Sequence, residues 1–329
     1  MKVYIITEGG KNIGLGHITR CVSIYQAFEE AGAQSQLIIN GDETVQDLLK
    51  GNNCKVFDWL NKKKLLFDIL GRADIVFIDS YLADVDLYER VSDTAWTAVY
   101  FDDNMRIEYP KGFVLNGAVL AERMPYPKRK GVTYLLGTRY TPLRKEFWDL
   151  PAKTIHQDIK CVMVTFGGAD TRNLTPKALK LLADTYPHLL KKVIVAKAFG
   201  NMAELEELKD DNTELLYSPN AAEMKNAMLE SDIAISACGQ TLYELARVGI
   251  PTIGICVAAN QLQNIKGWED TGFIKHPISW NDVHLANKTT ALMSHLQSSS
   301  LRKHISETAR EFVDGKGAVR IVELLKDSL

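Results

Sequence analysis

The sequence predicts an α/β chain built as two Rossmann-like domains facing across a cleft, and three observations predict it. Short apolar, β-branched runs alternate with longer runs at helical spacing, the signature of a parallel, doubly wound sheet. The alternation stops around Thr141–Asp158, where Pro142, Pro151 and a polar stretch intervene, and then restarts. Three of the strand-to-helix joins are rich in glycine. The expected domains are residues 1–150 and residues 151–329, the second ending in a helical tail.

In the first half, Val3–Ile6 reads as a strand, followed by a helix on which Ile18, Val22, Tyr25 and Phe28 share a face. Leu37–Ile39, a helix near Thr44–Leu49, and the strand Ile75–Ile78 come next, then strands at Ala98–Phe101, Phe113–Leu115 and Tyr134–Leu136. In the second half the strands are Val162–Phe166, Val193–Val195, Ile233–Ile235 and Thr252–Val257, with helices at Leu174–Ala183, Ala222–Leu229 and Thr241–Val248. Residues 286–329 read as mostly helical, broken at Gly315 and Gly317.

Composition narrows the function. With 46% hydrophobic and 24% charged residues, 329 residues suffice for two cores. Lys and Arg number 39 against 41 Asp and Glu, a net charge of -2. That balance gives no general pull on nucleic acid or anionic membrane, so bound phosphate must be held by local geometry. The five cysteines (Cys21, Cys54, Cys161, Cys238, Cys256) are scattered without a CxxC pair, and the histidines show no metal-ligand spacing. The expectations are a cytoplasmic protein with neither metal nor cofactor, no membrane span, and at most a weak homo-oligomer.

The first glycine loop runs from Thr7 to Arg20, and Gly14 and Gly16 allow close backbone approach to a ligand at a helix start. A third glycine of the dinucleotide fingerprint would fall at Thr19, so that motif is not present. His17, in the first helical turn, reads either as a general base facing a cleft or as a structural histidine. Arg20, one turn on, reads as a phosphate contact or as a brace for the loop through a carboxylate. The second loop, Phe166 to Asp170, offers Gly167 and Gly168 to a diphosphate, with Asp170, Thr171 and Asn173 as alternatives for helix caps. The third, Ser236 to Glu244, runs through Cys238, Gly239, Gln240 and Thr241 into a helix. Glu244 reads as a bidentate ribose ligand or as a solvent-facing helical residue. Asn260 and Gln261 suit sugar hydroxyl or acetamido groups, or cap a helix. Asp79, Tyr81 and Asp102 follow strands and read as hydroxyl contacts or buried turn-formers.

The segment Gly14-Leu15-Gly16-His17-Ile18-Thr19-Arg20-Cys21 resembles the GxGHxxRC segment of the UDP-sugar hydrolases of pseudaminic acid biosynthesis. Matches continue in order at Asp79-Ser80-Tyr81, Asp102-Asp103, Leu143 to Phe147, Phe166 to Asp170, Ser236 to Glu244 and Asn260-Gln261, spanning about residues 1–275. The resemblance implies a GT-B-like fold, similar to the glycosyltransferase that makes lipid II. It also implies a UDP-sugar as partner: UDP-diacetamido-trideoxy-β-L-altropyranose, hydrolysed to free sugar and UDP by inverting attack of water. His17 is then the catalytic residue and no metal is needed. The sequence departs from the pattern at Cys238 and Gln240, where Gly and Ser are expected, and at Ala259, where Asp is common. These differences bear on the sugar more than on the reaction. A glycosyltransferase with the same fold and donor is the alternative.

Overall fold

The computed structural model describes residues 1–11, 13–197, 199–200 and 202–328, apart from the side chains of residues 47 and 48. Asn12 of the first glycine loop lies outside the described residues. The chain forms two compact units, Met1–Trp148 with Gly315–Leu329, and Asp149–Asp314.

The first unit holds a seven-stranded parallel sheet. Its strands are β1 (Lys2–Gly9), β2 (Gln34–Gly41), β3 (Cys54–Val56), β4 (Ile75–Asp79), β5 (Thr97–Phe101), β6 (Gly112–Asn116) and β7 (Val132–Leu136), in the order β3-β2-β1-β4-β5-β6-β7. The crossovers include helices α1 (Gly16–Glu30), α2 (Gln46–Leu49), α3 (Lys63–Leu70) and α4 (Val85–Thr94). Central strands covered on both faces must be apolar throughout, and Ile75–Asp79 is buried along its whole length. One face of the sheet packs Ile5, Leu37, Phe77 and Val99 against Ile18, Cys21 and Phe28 of α1. The other packs Ile6, Val76 and Ile78 against Leu66 and Leu70 of α3 and Leu87 and Val91 of α4.

The second unit repeats the plan with six parallel strands. These are β8 (Cys161–Thr165), β9 (Leu190–Val195), β10 (Thr213–Tyr217), β11 (Ile233–Ala237), β12 (Thr252–Cys256) and β13 (Ile278–Ser279), ordered β10-β9-β8-β11-β12-β13. Its helices are α5 (Leu174–Thr185), α6 (Met202–Leu208), α7 (Ala221–Glu230), α8 (Thr241–Val248), α9 (Leu262–Thr271), α10 (Leu285–His295) and α11 (Ser299–Phe312). In each sheet the strand order reverses beside the first strand, between β1 and β4 and between β8 and β11. Ligands of doubly wound sheets bind outside the carboxyl ends of strands at such reversals.

The tail departs from expectation. The last helix, α12 (Gly317–Lys326), belongs to the first unit and not to the second. It inserts Ala318, Ile321, Val322 and Leu325 into the core that α1 covers, and each of the three larger side chains contributes about 1.5–3 kcal/mol of burial. Gly317 lies so close to the chain at Thr141 that a Cβ would stand 2.1 Å from the Thr141 carbonyl oxygen. The segment near Thr141–Asp158, read from sequence as a connection, is divided at Trp148 and Asp149. Its second part is tied to the second unit, with Arg310 donating to the Pro151 carbonyl and Arg302 to that of Gln157.

Candidate active site

The first glycine loop folds back on itself between β1 and α1. Gly10 and Gly14 exchange two backbone hydrogen bonds, of 3.0 and 2.7 Å, and Gly14 adopts φ +89°, a region that disfavours side chains. This tight return brings the chain into α1 at Gly16, so His17 occupies the first helical turn beside the carboxyl end of β1. β4 is the adjacent strand, paired Thr7 to Asp79, and Asp79 is its last residue. His17 and Asp79, 62 positions apart in sequence, thus meet at the reversal of strand order.

What they bring together is a buried charged cluster. His17 Nδ1 lies 2.6 Å from Asp79 Oδ1. Arg20 donates from Nε to Asp79 Oδ2 at 2.5 Å and from Nη2 to Oδ1 at 2.6 Å, and its Nη1 and Nη2 reach the Asp103 carboxylate at 2.7 and 3.0 Å. Tyr81 donates its hydroxyl to Asp103 Oδ2 at 2.5 Å and sets its ring edge-on to the imidazole, with centroids 4.5 Å apart. Burial pushes the Asp79 carboxyl up, but the Arg20 guanidinium and His17 against it hold it well below the usual carboxylate range. Asp103 is likewise raised by burial and lowered more by Arg20. Burial and Asp103 push the Tyr81 hydroxyl well above its ordinary value, so it stays protonated and donates.

An ionised Asp79 only accepts hydrogen bonds, so the imidazole nitrogen facing it carries the hydrogen. In a neutral ring Nε2 then keeps its lone pair, and it has no hydrogen-bond partner among the described residues. One guanidinium stands among two carboxylates, and its Nη2 also lies 3.1 Å from His17 Nδ1. The arrangement can therefore hold a histidine in one orientation with Nε2 open, the geometry a general base requires.

Several sequence-level roles change. Asp79 is 1% exposed and saturated by His17 and Arg20, so it orients His17 and is not placed to meet a hydroxyl. Arg20 takes the bracing alternative, because all three of its nitrogens contact carboxylates. Asp102 is a buried turn-former. It accepts from the backbone N–H of Asn104, Met105 and Arg106 and from the hydroxyls of Tyr109 and Tyr126. Its neighbour Asp103 is the one that joins the cluster. Tyr81, 38% exposed, remains open to a ligand.

In the second unit the candidate residues gather at the carboxyl ends of three adjacent strands, β8, β11 and β12. Gly167 has φ +80°, and a Cβ built on it or on Gly14 would meet nothing within 4 Å. Gly168 is half-buried beside it. Asp170 takes the capping alternative, accepting from the backbone N–H of Leu174 and Thr175 at the start of α5. Gly239, Gln240 and Thr241 are half-buried where α8 begins, and no side chain caps that helix. The Leu242 and Tyr243 N–H groups donate to the Gly239 and Gln240 carbonyls at 3.1 Å, so an anion at this helix start would meet the N–H groups that precede them. Cys238 is fully buried with its thiol pushed up by burial. Only its backbone is free to serve a ligand, and its carbonyl already accepts from Asn264 Nδ2 at 2.9 Å. Glu244 is not solvent-facing: it is 4% exposed, one turn into α8. Asn260 is exposed, while Gln261 turns its Oε1 back to the Val257 N–H at 3.0 Å.

Sequence reasoning missed Glu8, a fully buried carboxyl on β1. The one signal for it was a charged residue directly continuing an apolar strand.

Two Rossmann-like units, each with its strand order reversed beside its first strand, define a GT-B-like fold. Solved structures of that kind superpose along nearly the whole chain. The S. aureus MnaA–UDP co-structure has a TM-score of 0.66 at 12% identity, covering 99% of this chain and 96% of that one. Acinetobacter baumannii MurG has a TM-score of 0.57 at 14% identity, covering 99% and 100%. No family model matches the chain. Among curated proteins, the chain is 27% identical over 283 residues to the pseudaminic acid cytidylyltransferase and UDP-2,4-diacetamido-2,4,6-trideoxy-beta-L-altropyranose hydrolase of Helicobacter pylori. The match covers 84% of this chain and 48% of that protein. It is 26% identical over 278 residues to protein MJ1062 of Methanocaldococcus jannaschii, covering 80% and 57%. The chain thus spans about half the length of these two relatives. The spore coat polysaccharide biosynthesis protein SpsG of Bacillus subtilis is 23% identical, covering 99% of this chain and 98% of that protein. The family that the glycine-loop motif resembles is thus named again in the Helicobacter relative, whose match covers 84% of this chain.

Proposed function

We propose that this chain is a nucleotide-sugar hydrolase that cleaves a UDP-sugar to UDP and the free sugar with inversion at the anomeric carbon. The observation that carries the reading is the His17–Asp79 contact of 2.6 Å, locked by Arg20, at the reversal of strand order in the first unit. Water loses a proton to His17 Nε2 as its oxygen bonds to the anomeric carbon. The bond from that carbon to the β-phosphate oxygen breaks, and its electron pair leaves with UDP. Asp79 stabilises the imidazolium that forms, and Tyr81 contacts the sugar.

UDP is assigned to the second unit. Its diphosphate lies against Gly167, Gly168 and the first N–H groups of α8, at Gly239, Gln240 and Thr241, with the ribose on Glu244 and Asn260 beside the sugar. Fixed backbone dipoles take up the charge growing on the leaving group, a role that requires no metal. The name of the Helicobacter relative supports hydrolysis and a diacetamido-trideoxy sugar, and the UDP bound in the MnaA co-structure supports the nucleotide. Transfer to a sugar or lipid acceptor is the second reading, favoured by solved neighbours such as the spinosyn rhamnosyltransferase SpnG.

Incubating the protein with the UDP-linked diacetamido sugar and no acceptor decides between them. The expected result is stoichiometric UDP release, with proton NMR showing the inverted anomer first. Release that appears only when an acceptor is added would establish transfer instead. Treatment with EDTA is expected to leave the rate unchanged, and loss of turnover restored by Mg²⁺ would overturn the metal-free assignment.

A further inference from the structure

Around the imidazole the contacts close into a ring: His17 to Asp79, Asp79 to Arg20, Arg20 to Asp103, Asp103 to the Tyr81 hydroxyl, and the Tyr81 ring back to His17. His17 and Arg20 are fixed by α1, and Asp79 by β4. Tyr81 sits on the turn beyond β4, outside any regular element, and needs a separate anchor.

That anchor is Glu8. The pairing of Thr7 with Asp79 carries β1 one residue beyond the end of β4, level with Ser80. There Glu8 accepts from Ser80 Oγ at 2.5 Å, from the Tyr81 N–H at 2.7 Å and from the Leu82 N–H at 3.2 Å. Ser80 Oγ in turn accepts from the Leu82 and Ala83 N–H groups at 3.0 and 2.9 Å. The carboxyl is wholly shielded from water, and no ion pair with Lys or Arg is recorded for it among the described residues. A buried carboxyl without a cation is costly. Every donor it collects belongs to the one turn that carries Tyr81.

We propose that Glu8 is a positioning residue for the hydrolysis proposed above: it fixes the Ser80–Leu82 turn so that Tyr81 holds His17 in its productive orientation. Glu8 touches no reacting atom and acts through Tyr81. The inference rests on the hydrolase reading for its kinetic consequence, but its structural consequence can be measured without any turnover.

Two variants and two readouts test it. Glu8→Ala removes all three acceptor contacts and is expected to lower kcat about 10- to 100-fold, the scale of a small misplacement at a reacting centre. Its affinity for UDP should stay within about twofold of wild type. Glu8→Gln keeps a carbonyl oxygen for the two backbone N–H groups and is expected to recover most of the rate. Independently, the His17 ring protons, assigned by their loss in His17→Asn, should show a ring-current shift from Tyr81 in the wild type that collapses in Glu8→Ala and returns in Glu8→Gln. Should Glu8→Ala fail to fold, Ser80→Ala loosens the same turn and should move the same signal. Unchanged His17 ring-proton shifts in the folded variant would overturn the role of Glu8, as would loss of thermal stability alone with kcat and its pH profile intact. A wild type that turns over no UDP-sugar would sink the hydrolase reading and leave the ring-current result to decide on Glu8.

Discussion

The two units share one topology and fill it with opposite chemistry. At the reversal between β1 and β4 the groups on offer are side chains, an imidazole oriented by a network of one guanidinium and two carboxylates. At the reversal between β8 and β11 they are mainly backbone: a left-handed glycine at 167, an uncapped α8, and a cysteine whose thiol is out of reach. Under the proposed hydrolysis the difference is a division of labour. A proton must be moved by a group that changes charge, whereas a diphosphate is best met by dipoles that do not.

The largest way to break this comparison is to remove the imidazole. His17→Asn is expected to cut turnover by about 10²–10⁴ while UDP affinity measured by calorimetry stays at the wild-type value. Wild-type-like turnover would strip the first unit of its chemistry. Next comes Asp79→Asn, which allows the ring to adopt the wrong tautomer and should lower kcat by roughly 10²-fold or more. The same substitution carries a stability signature. Asp79 is held well below its ordinary value in the folded protein, so its stabilisation is full above the unfolded value of about 4 and is lost progressively as pH falls from there toward the lowered folded value. Urea midpoints measured from about pH 6 down to pH 3 should therefore fall more steeply for wild type than for Asp79→Asn.

The smaller effects lie in the second unit. Glu244→Ala should weaken UDP affinity about tenfold, near 1.4 kcal/mol, with kcat at saturating substrate little changed. An unaltered affinity would remove the ribose assignment. Gly167→Ala meets no steric obstacle but must hold φ +80°, so roughly 1–2 kcal/mol of stability should be lost. Thermal unfolding of that variant with and without UDP separates strain from lost binding.

The central strands were legible because burial on both faces forces continuous apolar runs, as in Ile75–Ile78 and Val162–Val164. The edges were not. β3 has no buried residue and β10 has one, so neither shows such a run, and β13 has only two residues. Within the site, His17 stood out because glycines flank it at a helix start. The roles of its partners depended on register. Asp102 and Asp103 are adjacent in sequence, and only the fold decides which one turns into the charged cluster. Glu8 escaped because a lone acid after an apolar strand reads as solvated, and its donors come from a turn more than seventy residues away. Residue 315 onward was read with the wrong unit because nothing local in an amphipathic helix names the surface it will cover.

That return has a consequence for how the protein is made. The first unit lacks Ala318, Ile321, Val322 and Leu325 from its core until the second unit has been translated. The second unit, continuous from Asp149 to Asp314, can finish while its predecessor still waits. Completion of the half that carries His17 thus waits on a helix translated after the whole of the second unit.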